Sequence, residues 1–72
     1  MTKTDINEAI GKAIKRERKA HHMTQEQLAA KVGISRPVLT KYELGQVEIS
    51  MKMFVRICDE IGVNYADILR NV

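Results

Sequence analysis

The segment Thr24–Gly45, TQEQLAAKVGISRPVLTKYELG, constrains this chain more than any other. It reads as two short helices joined by a tight turn. Thr24 is placed to cap the first helix, and Gln27 three residues later completes a T-x-x-Q capping box. Leu28, Ala29 and Val32 then recur on one helical face. Gly33 supplies the left-handed residue that stops the helix, Ile34 follows as a buried spacer, and Ser35 is the next N-cap. Pro37 falls in the first turn of the second helix, where its missing N–H costs little. Leu39 and Tyr42 give that helix an inward face, and Gly45 stops it. So short a connection makes the helices cross steeply and leaves the far side of the second in solvent. That far side carries Arg36, Pro37, Thr40 and Lys41. It offers cation and hydroxyl and no carboxylate, which suits a polyanion.

The order Gln-x-x-Leu-Ala, Gly-Ile-Ser, Leu-Thr and Glu-x-Gly resembles the helix-turn-helix of the phage repressor/Cro family, also called XRE-like. Gln25, Leu28, Ala29, Gly33, Ser35, Leu39, Glu43 and Gly45 stand where that pattern expects them. The resemblance implies an all-α fold, a compact five-helix repressor-like DNA-binding domain. It also implies that Gln25 donates to a phosphate. Arg18 resembles the family's basic partner of the residue at Glu43, an ion pair tying the first helix to the recognition helix and keeping Glu43 from repelling DNA. Three positions depart from the pattern. His22 stands where glycine is usual, a left-handed position that histidine tolerates better than most residues. Leu44 replaces a common Asn or Arg. The loop Gln46–Ile49 lacks the usual cations and closing proline, so it should hold phosphate weakly, and Glu48 should repel it.

With 72 residues the expectation is one domain over 1–72, its helix-turn-helix near 24–45, with no separate effector domain. A hydrophobic share of 44% is enough to fold. A core this small rarely supplies more than about 3–5 kcal/mol, so self-association would help. Net charge is +3, a bias that permits nucleic-acid binding without demonstrating it. Neither a long apolar run nor a signal peptide stands out, so the chain is expected in the cytoplasm, bacterial or phage-encoded, and not in a membrane. The single cysteine, Cys58, excludes an internal disulfide.

Upstream, Met1–Thr4 reads as frayed, with Thr4 or Asp5 as a cap, and Ile6, Ile10, Ala13 and Ile14 form the stripe of a helix reaching about His21. Its other faces carry Lys12, Lys15, Arg16, Arg18 and Lys19, a solvated face or a source of long-range attraction to DNA. His21 and His22 are adjacent and so do not share a helical face, which argues against a metal site. Met23 packs as a staple ahead of Thr24. Downstream, Ser50 caps a helix to about Ile61, buried through Met51, Phe54, Ile57, Cys58 and Ile61. Cys58 is a small core residue or a reactive thiol. Gly62 ends this helix, Val63 plugs the core, and Asn64 caps a last helix from Tyr65 to about Arg70, with Ile68 or Leu69 inward. Val47, Ile49, Met53, Val55, Tyr65 and Val72 are left over, some for the core and the remainder for a dimer face.

A DNA reader needs phosphate donors, side chains that reach base edges and a frame that holds both. Arg36 suits guanine O6 and N7, or else a phosphate clamp. Pro37 touches a thymine methyl or simply pre-sets the first turn, and Thr40 and Lys41 reach bases or backbone. Gln25 and Ser35 at helix N-termini, with Ser50 and Lys52 at the start of the fourth helix, are the phosphate contacts. A single recognition helix makes few base contacts, so the expected form is a homodimer on a palindromic operator in double-stranded DNA. The leading function is a transcription regulator, a repressor or autoregulator. A DNA-binding antitoxin with a toxin partner, or a protein-interaction module on the same fold (contacting transcription machinery, for instance), are the rivals. No cofactor is implied. No carboxylate pair, nucleophile–base set or phosphate loop shares a site, which argues against an enzyme.

Overall fold

Thr2 opens the first helix, earlier than the apolar periodicity predicts. The computed structural model describes residues 2–72, with α1 (Lys3–Ala20), α2 (Gln25–Val32), α3 (Arg36–Leu44), α4 (Met51–Ile61) and α5 (Tyr65–Arg70). No strand occurs among the described residues. The expected cap at Thr4 or Asp5 is corrected. Thr2 Oγ1 accepts from the Asp5 N–H and the Asp5 carboxylate accepts from the Thr2 N–H, each at 3.1 Å. This is a capping box with aspartate in place of the usual Glu or Gln. The Thr2 backbone N–H, and then its hydroxyl, hold the Asp5 carboxyl below its ordinary pKa. The expected fraying of Met1–Thr4 is corrected over Thr2–Thr4, which form the cap and opening turn of α1, and Met1 lies outside the described residues.

The remaining helix ends follow the turn chemistry. Thr24 and Gln27 exchange capping hydrogen bonds at 2.8 and 3.0 Å. Ser35, Ser50 and Asn64 cap α3, α4 and α5 through their side-chain oxygens. Gly33, Gly45 and Gly62 close α2, α3 and α4 at positive φ, and His22 takes the same left-handed conformation at φ 57°.

The core joins Ala13 and Ile14 of α1, Leu28, Ala29 and Val32 of α2, and Leu39 of α3 to Phe54, Ile57, Cys58 and Ile61 of α4 and Ile68 of α5. Met23, Ile34, Tyr42, Val63 and Leu69 pack against it half-buried, as do Ile49 and Met53 from the leftover apolar positions. Two members of the expected stripes are corrected: Ile6 is 39% and Met51 58% exposed. Both lie in the opening turns of their helices, where side chains tilt toward the N-terminus and run past the edge of the core. Val47, Tyr65 and Val72 also remain exposed. Cys58 is wholly buried, and that burial pushes its thiol up to about 11, the state of an inert core residue and not of a reactive thiol. Among the described residues no helix is long and apolar enough to cross a membrane.

Two glycines let α1 lie directly on α3. A Cβ at Gly11 would sit 2.4 Å from the Tyr42 carbonyl oxygen and 2.6 Å from that of Glu43. One at Gly45 would sit 2.6 Å from Glu8 Cα. The obstructing atoms are backbone, so no rotamer change relieves them. Gly11→Ala should therefore push the helices apart at a cost of about 1–3 kcal/mol. A urea titration followed by helical circular dichroism checks this: the midpoint should fall with an unchanged slope. An unchanged midpoint would mean that α1 shifts off α3 freely.

Candidate nucleic-acid interface

The side chains that position α3 form one hydrogen-bonded chain running from the interior to the surface. At its inner end, Arg18 of α1 is only 6% exposed. This is the ion-pair place that the family resemblance implies for it beside Glu43, and it sets Arg18 apart from the exposed cations of the first helix. Arg18 Nε donates to Glu43 Oε2 at 2.7 Å and Nη2 to Oε1 at 3.1 Å, while Nη1 donates to the Met23 carbonyl at 2.8 Å. The pair is bidentate, charge-assisted and shut away from water, the geometry in which Arg and carboxylate bond most strongly. Glu43 is 4% exposed and takes a third hydrogen bond, from Gln25 Nε2 at 2.9 Å. No buried side-chain nitrogen or oxygen among the described residues is left without a partner.

Gln25 carries the chain outward. Its Oε1 accepts from the Thr40 hydroxyl at 3.2 Å and from Arg36 Nε at 3.3 Å. The carboxamide has one workable orientation, because turning it over would set its oxygen against the Glu43 carboxylate. Gln25, expected as a phosphate donor, thus has one amide hydrogen committed to Glu43 and one left over. Thr40, expected at a base edge, spends its hydroxyl hydrogen on Gln25 and keeps its acceptor lone pairs.

That face of α3 carries no carboxylate of its own, but one approaches it from α2. Glu26, on the first turn of α2, forms an ion pair with Arg36, Oε1 lying 3.1 Å from Nε. Its side chain and that of Arg36 are 63% and 62% exposed, so as a stabilising contact the pair is worth about 0–1 kcal/mol. Both neighbours of Arg36 meet its Nε edge. The Nη1 and Nη2 groups make no hydrogen bond among the described residues and form an open fork.

Around the fork, Pro37 and Lys41 are exposed, and Val38 is half-buried. The Ser35 hydroxyl accepts from the Val38 N–H at 3.4 Å as the α3 cap. Ser50 accepts from the Met53 N–H at 3.1 Å, with Lys52 exposed two residues on, but neither shares a hydrogen bond with the Gln25 network. Glu48 pairs with Lys3 at 3.2 Å, both largely exposed, which offsets the charge expected to repel phosphate. The structure thus joins Arg18, Glu43, Gln25, Thr40 and Arg36 and leaves Ser50 and Lys52 apart. Sequence reasoning missed Glu26 and the positioning role of Gln25. No local signal marked either one, because their meeting with Arg36 depends on how α2 crosses α3.

Residues 14–68 match the family HTH_3, helix-turn-helix. Over 60 residues, 83% of this chain, the sequence is 45% identical to Antitoxin PezA of Streptococcus pneumoniae serotype 4, covering 38% of that protein. It is 38% identical over 55 residues to the uncharacterized HTH-type transcriptional regulator MJ0272 of Methanocaldococcus jannaschii, covering 76% of this chain and 83% of that protein. It is 37% identical over 57 residues to the uncharacterized HTH-type transcriptional regulator YqaE of Bacillus subtilis, covering 79% of this chain and 49% of that protein. Among solved structures, the clp gene regulator ClgR of Corynebacterium glutamicum superposes with a TM-score of 0.86 at 30% identity, over 89% of this chain and 68% of that one.

Proposed function

Because this chain belongs to the helix-turn-helix family HTH_3, we propose that it is a sequence-specific DNA-binding transcription regulator, a homodimeric repressor or autoregulator working in the cytoplasm. In this reading residues 1–72 act as one domain that lays α3 in the major groove of double-stranded DNA. The Arg36 fork meets O6 and N7 of a guanine, a bidentate match of donors to acceptors. Lys41, Thr40 and Pro37 touch neighbouring bases. Gln25, through its remaining amide hydrogen, and Ser35, Ser50 and Lys52 hold phosphates at helix N-termini. The chemistry is recognition, with no bond made or broken and no cofactor.

The observation that carries this reading is the open fork of Arg36, held by its Nε edge on a frame anchored in the buried Arg18–Glu43 pair. A guanidinium fixed at one edge and free at the other is pre-organised for a base edge, so less side-chain freedom is lost on binding. Selection of bound sites from random duplexes tests it. The expected result is an enriched palindrome with half-sites one helical turn, about 34–36 Å, apart. No enrichment over the starting pool would count against sequence-specific reading. Sedimentation should detect two protomers per duplex, and a single protomer both free and bound would contradict the two-fold arrangement.

The similarity to Antitoxin PezA favours a second reading, a DNA-binding antitoxin. The chain spans 38% of that relative. A toxin partner is tested by isolating the protein from its native host: a second protein retained in fixed ratio favours this reading, and the chain alone favours the regulator.

A further inference from the structure

We propose that Glu26, outside the recognition helix, is a specificity-determining residue: its carboxylate holds the Arg36 guanidinium by the Nε edge, so that Nη1 and Nη2 point away as a fork toward one base pair. This rests on the reading of α3 as the base-contacting helix. The Nε edge has two neighbours, Gln25 Oε1 at 3.3 Å and Glu26 Oε1 at 3.1 Å. Gln25 Oε1 is shared with the Thr40 hydroxyl at 3.2 Å and belongs to a neutral amide. Glu26 is the charged neighbour, an ion-pair partner whose side chain makes no hydrogen bond among the described residues, and it stands on the first turn of a capped helix. An arginine is long and flexible, and a carboxylate at one edge restricts where the other edge reaches.

The same carboxylate is a negative charge beside a polyanion, so it weakens binding to every sequence alike. A group that lowers affinity everywhere while it orients the base-reading fork raises the ratio of specific to nonspecific binding, not the affinity itself. The two effects have opposite signs. A side chain that served only to support the fold would not separate them.

The test uses the full chain with Glu26→Ala, Glu26→Gln, Arg36→Ala and the double variant Glu26→Ala/Arg36→Ala. Binding is measured on the duplex selected by the wild type, on each of its single base-pair substitutions and on a scrambled duplex. Glu26→Ala should bind the scrambled duplex more tightly. It should also lose about two- to five-fold of the discrimination at the base pair that Arg36 reads, the range of an exposed ion pair. Glu26→Gln, which keeps an acceptor without the charge, should recover part of that discrimination while retaining the tighter nonspecific binding. With Arg36 already replaced by alanine, removing Glu26 should still tighten nonspecific binding but change discrimination no further. A uniform gain on all duplexes with discrimination intact would overturn the proposal. So would a loss of discrimination that persists without Arg36, because Glu26 would then be reading a base itself. If Arg36→Ala alone alters no position, the base-reading assignment fails first, and the role of Glu26 falls with it.

Discussion

Glu43→Ala should leave most of the protein unfolded at room temperature. Removing the carboxylate strands Arg18, a guanidinium only 6% exposed, without its counter-charge. Breaking a buried pair by deleting one partner costs about 3–5 kcal/mol. A domain of this size draws only about 3–5 kcal/mol from its core, so the loss is comparable to the whole stability. Circular dichroism should find reduced helicity in buffer and a urea transition shifted close to zero denaturant. Replacing both partners by apolar residues of similar size, Arg18→Met with Glu43→Leu, should restore the cooperative transition, because no buried charge is left unpaired. That double variant separates folding from recognition. Gln25 loses the acceptor at 2.9 Å that orients its carboxamide, so the restored protein should discriminate poorly between cognate and scrambled DNA. A Glu43→Ala protein that melts like the wild type would mean that the ion pair does not join α1 to α3.

Arg36→Ala should spare the fold and damage reading at a single place. The Arg36 side chain is 62% exposed, so its removal should change stability by less than about 0.5 kcal/mol. A lost bidentate contact to guanine is worth about 1–3 kcal/mol, or roughly 5- to 150-fold in discrimination at one operator base pair. The panel of single base-pair substitutions checks this, with preference at that pair flattened and the other positions keeping theirs. Equal losses on cognate and scrambled DNA would mark Arg36 as a phosphate clamp.

The contrast between these two variants also shows which parts of the molecule were legible in the chain. Thr24 with Gln27, Ser35 and the stops at Gly33 and Gly45 obey rules that span four residues or fewer, so the helix-turn-helix could be read residue by residue. The Thr2–Asp5 box is equally local but was missed because aspartate fills the place where glutamate or glutamine is the usual mark. Ile6 and Met51 failed for a different reason. Periodicity names the face of a helix but not where along it the core ends. The partners of Arg36 lie ten and eleven positions back, at Glu26 and Gln25, and their meeting depends on how α2 crosses α3. No propensity or spacing reports that crossing. Gly11 is similar: its need for a missing Cβ exists only once the carbonyls of Tyr42 and Glu43 lie against it. The pairing of Arg18 with Glu43 came from resemblance to a family, across a separation of 25 positions that local rules do not bridge.

The face of α3 that carries Arg36 and Lys41 can be watched directly. Amide chemical shifts of the labelled full chain, followed while a duplex selected from random sequence is added, should move at Gln25, at Arg36 and through Val38–Lys41 (Pro37 has no amide proton). They should stay nearly still at the buried centre of α4 around Ile57. Shifts gathered on α4 and α5 with α3 unmoved would place the DNA on another face and contradict recognition through Arg36.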